Sequence, residues 1–121
     1  MIRVSNRDVV TRALEMLGVI GAGQSVPAED FEKVFKSLRG AVAWLNERRV
    51  VDLISAVEAD EIPAQYFDPI SMITAFKSAP SYGLGGEIYA GLKALSDEAE
   101  RDIAQMKPYS WRKQPTTNEY F

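Results

Sequence analysis

The stretch 13–48, ALEMLGVIGAGQSVPAEDFEKVFKSLRGAVAWLNER, constrains the fold more than any other part of the chain. Leu14 and Leu17 close a first apolar stripe, and Gly18, Gly21 and Gly23 then break it. Ser25-Val26-Pro27 follows, and Pro27 suits a first-turn position, where its missing N–H costs nothing. Glu29 and Asp30 come next, placed for the positive end of a helix dipole. The pattern reads as the end of one helix, a glycine-rich turn and the start of a second. Two apolar stripes joined in this way must bury each other, which predicts packed antiparallel helices.

The remaining periodicity extends this to four helices. A first helix over 6–17 has Ser5 or Asn6 as N-cap and Asp8 in its first turn, with Val10, Ala13, Leu14 and Leu17 on one face. The second, over 27–48, carries Phe31, Val34, Phe35, Leu38, Val42 and Leu45 at helical spacing, with Trp44 beside them. Gly40 interrupts it, and a close approach by a neighbouring helix is the preferred reading over a hinge. A third helix lies within 63–79, with Tyr66, Ile70, Ile73 and either Phe76 or Lys77 on one side. Its Asp68-Pro69 pair implies either a kink or a fresh start capped by Asp68. The fourth, over 87–107, buries Ile88, Leu92, Leu95, Ala99, Asp102 or Ile103, and Met106. The expected core is Leu14, Leu17, Phe31, Phe35, Leu38, Trp44, Leu45, Ile73, Leu92 and Leu95.

Between the second and third helices, Val50-Val51-Asp52-Leu53-Ile54-Ser55-Ala56-Val57 is rich in β-branched residues. It reads as an extended segment or short strand. A lone strand cannot stand by itself. With no second convincing strand in the sequence, Val51, Leu53, Ile54 and Val57 are candidates for pairing between subunits. The fold class is therefore mainly α: a four-helix antiparallel bundle-like domain over 1–107, with an extended segment near 50–57 and an extended C-terminal tail over 108–121. That tail holds Tyr109, Trp111, Tyr120 and Phe121, with the basic pair Arg112-Lys113. Aromatics are scarce in segments that stay unpartnered. These six residues are the candidate docking site for a partner, the alternative being that Tyr109 and Trp111 fold back on their own domain.

Composition removes several function classes. There are no cysteines and no histidines, hence no thiol nucleophile, no thiolate metal site and no imidazole base. No cofactor, metal site or catalytic residue is expected. The clusters Glu58-Asp60-Glu61 and Asp97-Glu98-Glu100 lack the spacing of a cation loop and read as solvated carboxylates. Net charge is −3, without the basic excess of a dedicated nucleic-acid binder. The first residues lack an apolar run behind Arg3 and Arg7, so no signal peptide is expected, and no window reaches the length of a membrane span. The expected compartment is cytoplasm-like.

Two stretches resemble one family, the small head–tail connector (adaptor) proteins of tailed bacteriophages, including the packaged-DNA-stabilising tail accessory factors. In the first stretch, 13–50, Leu17-Gly18, Gly21, Glu29-Asp30, Leu38, Trp44 and Arg48 match the family's helix, glycine turn and long tryptophan-bearing helix. The second runs from Ile62-Pro63-Ala64-Gln65-Tyr66 to Ala79-Pro80-Ser81-Tyr82-Gly83 and is similar to a hydrophobic-Pro-x-x-Tyr … Ala-Pro-x-Tyr-Gly helix. Longer members carry β-structure between these helices, where this chain has only 50–61; Thr74 and Phe76 stand where more aliphatic residues are usual. The resemblance implies a virion structural protein, made in the host cytoplasm and placed at the head–tail junction. Its partners would be the portal protein, a downstream tail or stopper protein and copies of itself in a twelve-membered ring through which genomic DNA passes. The C-terminal tail would reach the portal.

Two other classes compete. The helix–turn–helix look of 7–48 fits a small DNA-binding or regulatory protein. However, the turn over 18–27 is longer than the usual three to four residues, and Glu29, Asp30 and Glu32 open the second helix. An enzyme would have to work with surface carboxylates or lysine alone.

Overall fold

The computed structural model describes residues 2–106. The docking-tail residues Tyr109, Trp111, Arg112, Lys113, Tyr120 and Phe121 lie outside them. In chain order the elements are β1 (Arg3–Val4), α1 (Asn6–Leu17), α2 (Ala28–Glu47), α3 (Ile54–Glu58), β2 (Ile62–Pro63), α4 (Phe67–Ser78) and α5 (Gly86–Gln105), with 3₁₀ turns at Ala64–Tyr66 and Ala79–Tyr82 flanking α4.

Helix α4 is the centre of the bundle and packs against α1, α2 and α5. Its burial on nearly every side follows: Pro69, Ile70, Ser71, Ile73, Thr74, Ala75 and Ser78 are all buried. Two contiguous clusters fill the space around it. One joins Leu38, Val42 and Leu45 of α2 to Val51, Leu53, Val57, Ile62, Tyr66, Ile70 and Ile73. The other joins Val10, Leu14 and Leu17 of α1 to Val34, Ala75 and Leu92.

Local signals set the ends. Ser5 caps α1 through a capping box: its hydroxyl accepts from the Asp8 N–H at 3.1 Å, and the Asp8 carboxylate accepts from the Ser5 N–H at 3.0 Å. Gly18 ends the helix at φ 76°, the left-handed conformation that glycine adopts without strain. Pro27 is the N-cap of α2, one residue outside the helix. Pro69 is the third residue of α4, where an N–H has no partner inside the helix, so the proline neither kinks nor breaks it.

Four expectations are corrected. The segment 50–57 is not a strand: Arg49 takes φ 60° just after α2, and residues from Ile54 onward form the short helix α3, which packs against α2. Burial of Val51, Leu53 and Val57 in the domain's own core decides this over β-propensity. The strands are elsewhere, as the two-residue antiparallel pair Arg3↔Pro63 and Val4↔Ile62. Secondly, the buried stripe of α5 is Leu92, Ser96, Ala99 and Ile103, whereas Ile88 and Leu95 are 58% and 40% exposed. The packing of α5 runs chiefly through α4, and contact with one helix buries a narrow stripe. Thirdly, among the described residues no neighbour approaches Gly40; a Cβ there would meet none of them within 4 Å. Finally, the 63–79 helix is divided, with β2 and a 3₁₀ turn preceding α4. Of the expected core, Leu14, Leu17, Leu38, Leu45, Ile73 and Leu92 are buried, while Phe31, Phe35 and Trp44 are half-buried at its edge.

Candidate functional site

The half-buried aromatics of α2 organise the surface. Phe31 and Phe35 are one helical turn apart and stack with ring centroids 5.4 Å apart. Arg7 of α1 lies 4.8 Å from the Phe31 centroid, and Arg39 lies 4.8 Å from that of Phe35. The result is a ladder of guanidinium, ring, ring and guanidinium along the outer side of α2. Farther along the helix, Trp44 has Arg48 and Lys77 at 4.8 and 4.9 Å from its ring. Each such contact at an exposed site is worth about 0.5–1 kcal/mol.

Below the ladder is a groove of about 570 Å³, lined by Asn6, Phe35, Arg39, Val42, Ala43, Ile54, Val57 and Glu58. It lies where α3 packs against α2 and leaves Ile54 half-buried at the edge. Two of the four residues expected to pair between subunits, Ile54 and Val57, therefore line one groove, while Val51 and Leu53 are inside the core. Asn6 fixes the junction. Its Nδ2 donates to the Val57 carbonyl at 2.9 Å, and its N–H donates to the Asp60 carboxylate at 2.6 Å. Its Oδ1 is buried without a hydrogen-bond partner among the described residues.

A second polar contact joins the two halves of the bundle. The Tyr82 hydroxyl donates to Asp30 at 2.7 Å, and Lys33 lies 4.7 Å from the Tyr82 ring. Burial, reinforced by the Asp30 carboxylate, pushes the Tyr82 hydroxyl well above its ordinary pKa.

The acidic clusters are spread among separate partners. Glu61 pairs with Arg3 at 2.9 Å, Glu100 with Arg48 at 2.9 Å and Asp97 with Lys93 at 3.1 Å. Among the described residues no group of three His, Cys, Asp or Glu could hold a metal ion, and no helix is long and apolar enough to cross a membrane.

The groove and the ladder were not evident in the sequence. The Phe31-Phe35-Arg39 spacing of i, i+4, i+8 was the available signal; Arg7 and α3 reach the same place only through the tertiary fold. Comparison with protein-family models, with curated proteins and with solved structures returns no match.

Proposed function

We propose that the chain is a head–tail connector of a tailed bacteriophage. Its copies form a ring on the portal vertex, extend the DNA channel and offer a platform to the next tail or stopper protein. The segment 109–121 docks on the portal, and the protein acts in the virion with no chemistry of its own. One observation carries the reading: the two stretches that resemble the connector family touch each other through their own motif residues. Asp30, of the Glu29-Asp30 pair, accepts the hydrogen bond of Tyr82, of the Ala-Pro-x-Tyr-Gly motif, at 2.7 Å. Gly18 and Gly83, which end these motifs' helical segments, both take left-handed conformations, φ 76° and 69°. The motif positions thus act together as joints of one small domain, which supports reading them as a set.

Burial of Trp111, Tyr120 and Phe121 at a portal surface would contribute about 25 cal/mol per Å² of apolar area before ordering costs, and repetition around a ring would multiply the contact. A chain ending at Lys107 tests the tail's part. The full chain is expected to associate with its portal and the shortened chain to lose at least most of that association. Equal association of the two would remove the tail from the account; association by neither would refute the connector reading.

A further inference from the structure

The groove between α2, α3 and the start of α1 combines apolar and charged side chains on one surface. Phe35, Val42, Ile54 and Val57 give it an apolar floor. Arg39, on its rim, has no ion-pair partner among the described residues. Asn6, only 8% exposed, closes one end, its side-chain oxygen buried and without a hydrogen-bond donor among the described residues. The occupant called for is apolar and carries an acid to meet Arg39. A nucleic acid fits poorly, since Glu58 lines the groove and Asp60 stands beside it at Asn6.

The chain's own sequence contains such a segment. Glu119-Tyr120-Phe121 places one carboxylate beside two large rings, one of them bearing a hydroxyl. We propose that this groove is the docking site for the chain's own C-terminal segment, with Tyr120 and Phe121 on the apolar floor and Glu119 on the Arg39 guanidinium. Reach is ample: the stretch from 107 to 121 spans about 50 Å when extended at about 3.3 Å per residue. A domain of this size is only about 35 Å across, from a radius of gyration near 13 Å. Tethering sets an effective concentration in the millimolar range, which favours the intramolecular complex over capture by another copy. The inference needs no portal; where the connector reading holds, the docked segment is held back until a portal surface competes for it.

Methyl-detected NMR of the full chain tests this. The double substitution Tyr120→Ala/Phe121→Ala is expected to move the Val42, Ile54 and Val57 methyl resonances while those of Leu14 and Ile73, deep in the core, stay in place. Arg39→Glu is expected to produce the same displacement, and Glu119→Arg in that background to reverse it. Groove resonances unmoved by the double substitution would overturn the proposal. Groove resonances that change on dilution of the unsubstituted chain would assign the occupant to a second copy and overturn the intramolecular form.

Discussion

Replacing Gly40 with alanine is expected to stabilise the protein. Gly40 lies in the interior of α2, well away from either cap, and is exposed. A Cβ added there meets no atom of the described residues within 4 Å, so the substitution brings no clash and no compensating contact with them. What remains is backbone entropy and helix propensity, about 1 kcal/mol in favour of alanine. Unfolding entropy of about 2.1 cal/mol/K per residue over 121 residues gives about 250 cal/mol/K, so this gain raises Tm by about 4 °C. Gly18→Ala is the control of opposite sign. At φ 76° the cap conformation that glycine takes freely costs an L-residue about 1 kcal/mol, with a fall in Tm of similar size. Calorimetry on the two variants reads both values. A neutral or destabilising Gly40→Ala, beside a destabilising Gly18→Ala, would refute the reasoning, because it would require a contact at Gly40 that the bundle does not contain.

Three further outcomes follow from named contacts. Tyr82→Phe is expected to lower stability by about 1 kcal/mol through loss of the hydrogen bond to Asp30. It should also flatten the alkaline limb of stability: the native hydroxyl holds its proton above the ordinary value of 10.0, so the unfolded chain releases protons first and the native chain loses stability as pH rises past that value. Denaturant melts of both proteins between neutral and alkaline pH check this, and identical pH slopes would contradict it. Ile73→Ala, at a fully buried position, is expected to cost about 2–5 kcal/mol. Leu95→Ser, on the exposed side of α5, should stay within about 0.5 kcal/mol in the isolated protein, and a larger loss by urea melting would place Leu95 in a core that the fold does not give it.

What the sequence reveals here is mostly what adjacent residues decide. The capping box at Ser5 and Asp8, the glycine stop at Gly18 and the stripe of α2 involve neighbours within four positions, and periodicity reads them directly. The misread parts depend on distant ones. Arg3 pairs with Pro63, a two-residue ladder too short to leave an alternating pattern. The β-branched run near 50–57 turns helical from Ile54 because Leu53, its N-cap, and Val57, one turn on, meet the same core, and this outweighs local preference. Leu95 sits on an apolar stripe by spacing, but α5 presents a narrower face to α4 than that stripe is wide. The groove is less legible still. It is made where three helices cross, and Asn6, a good helix cap by type, instead bonds the backbone at Val57 and the Asp60 side chain. Residues 109–121, which are not among the described residues, stand as a candidate site by composition alone.

The central claim is that this domain assembles on a portal. Light scattering of the portal alone and with excess chain tests it most directly, each copy adding 13.5 kDa. The account predicts a mass increase that saturates at one copy per portal subunit, a ring of twelve on a twelve-fold portal. A portal whose mass is unchanged at every chain concentration would contradict it.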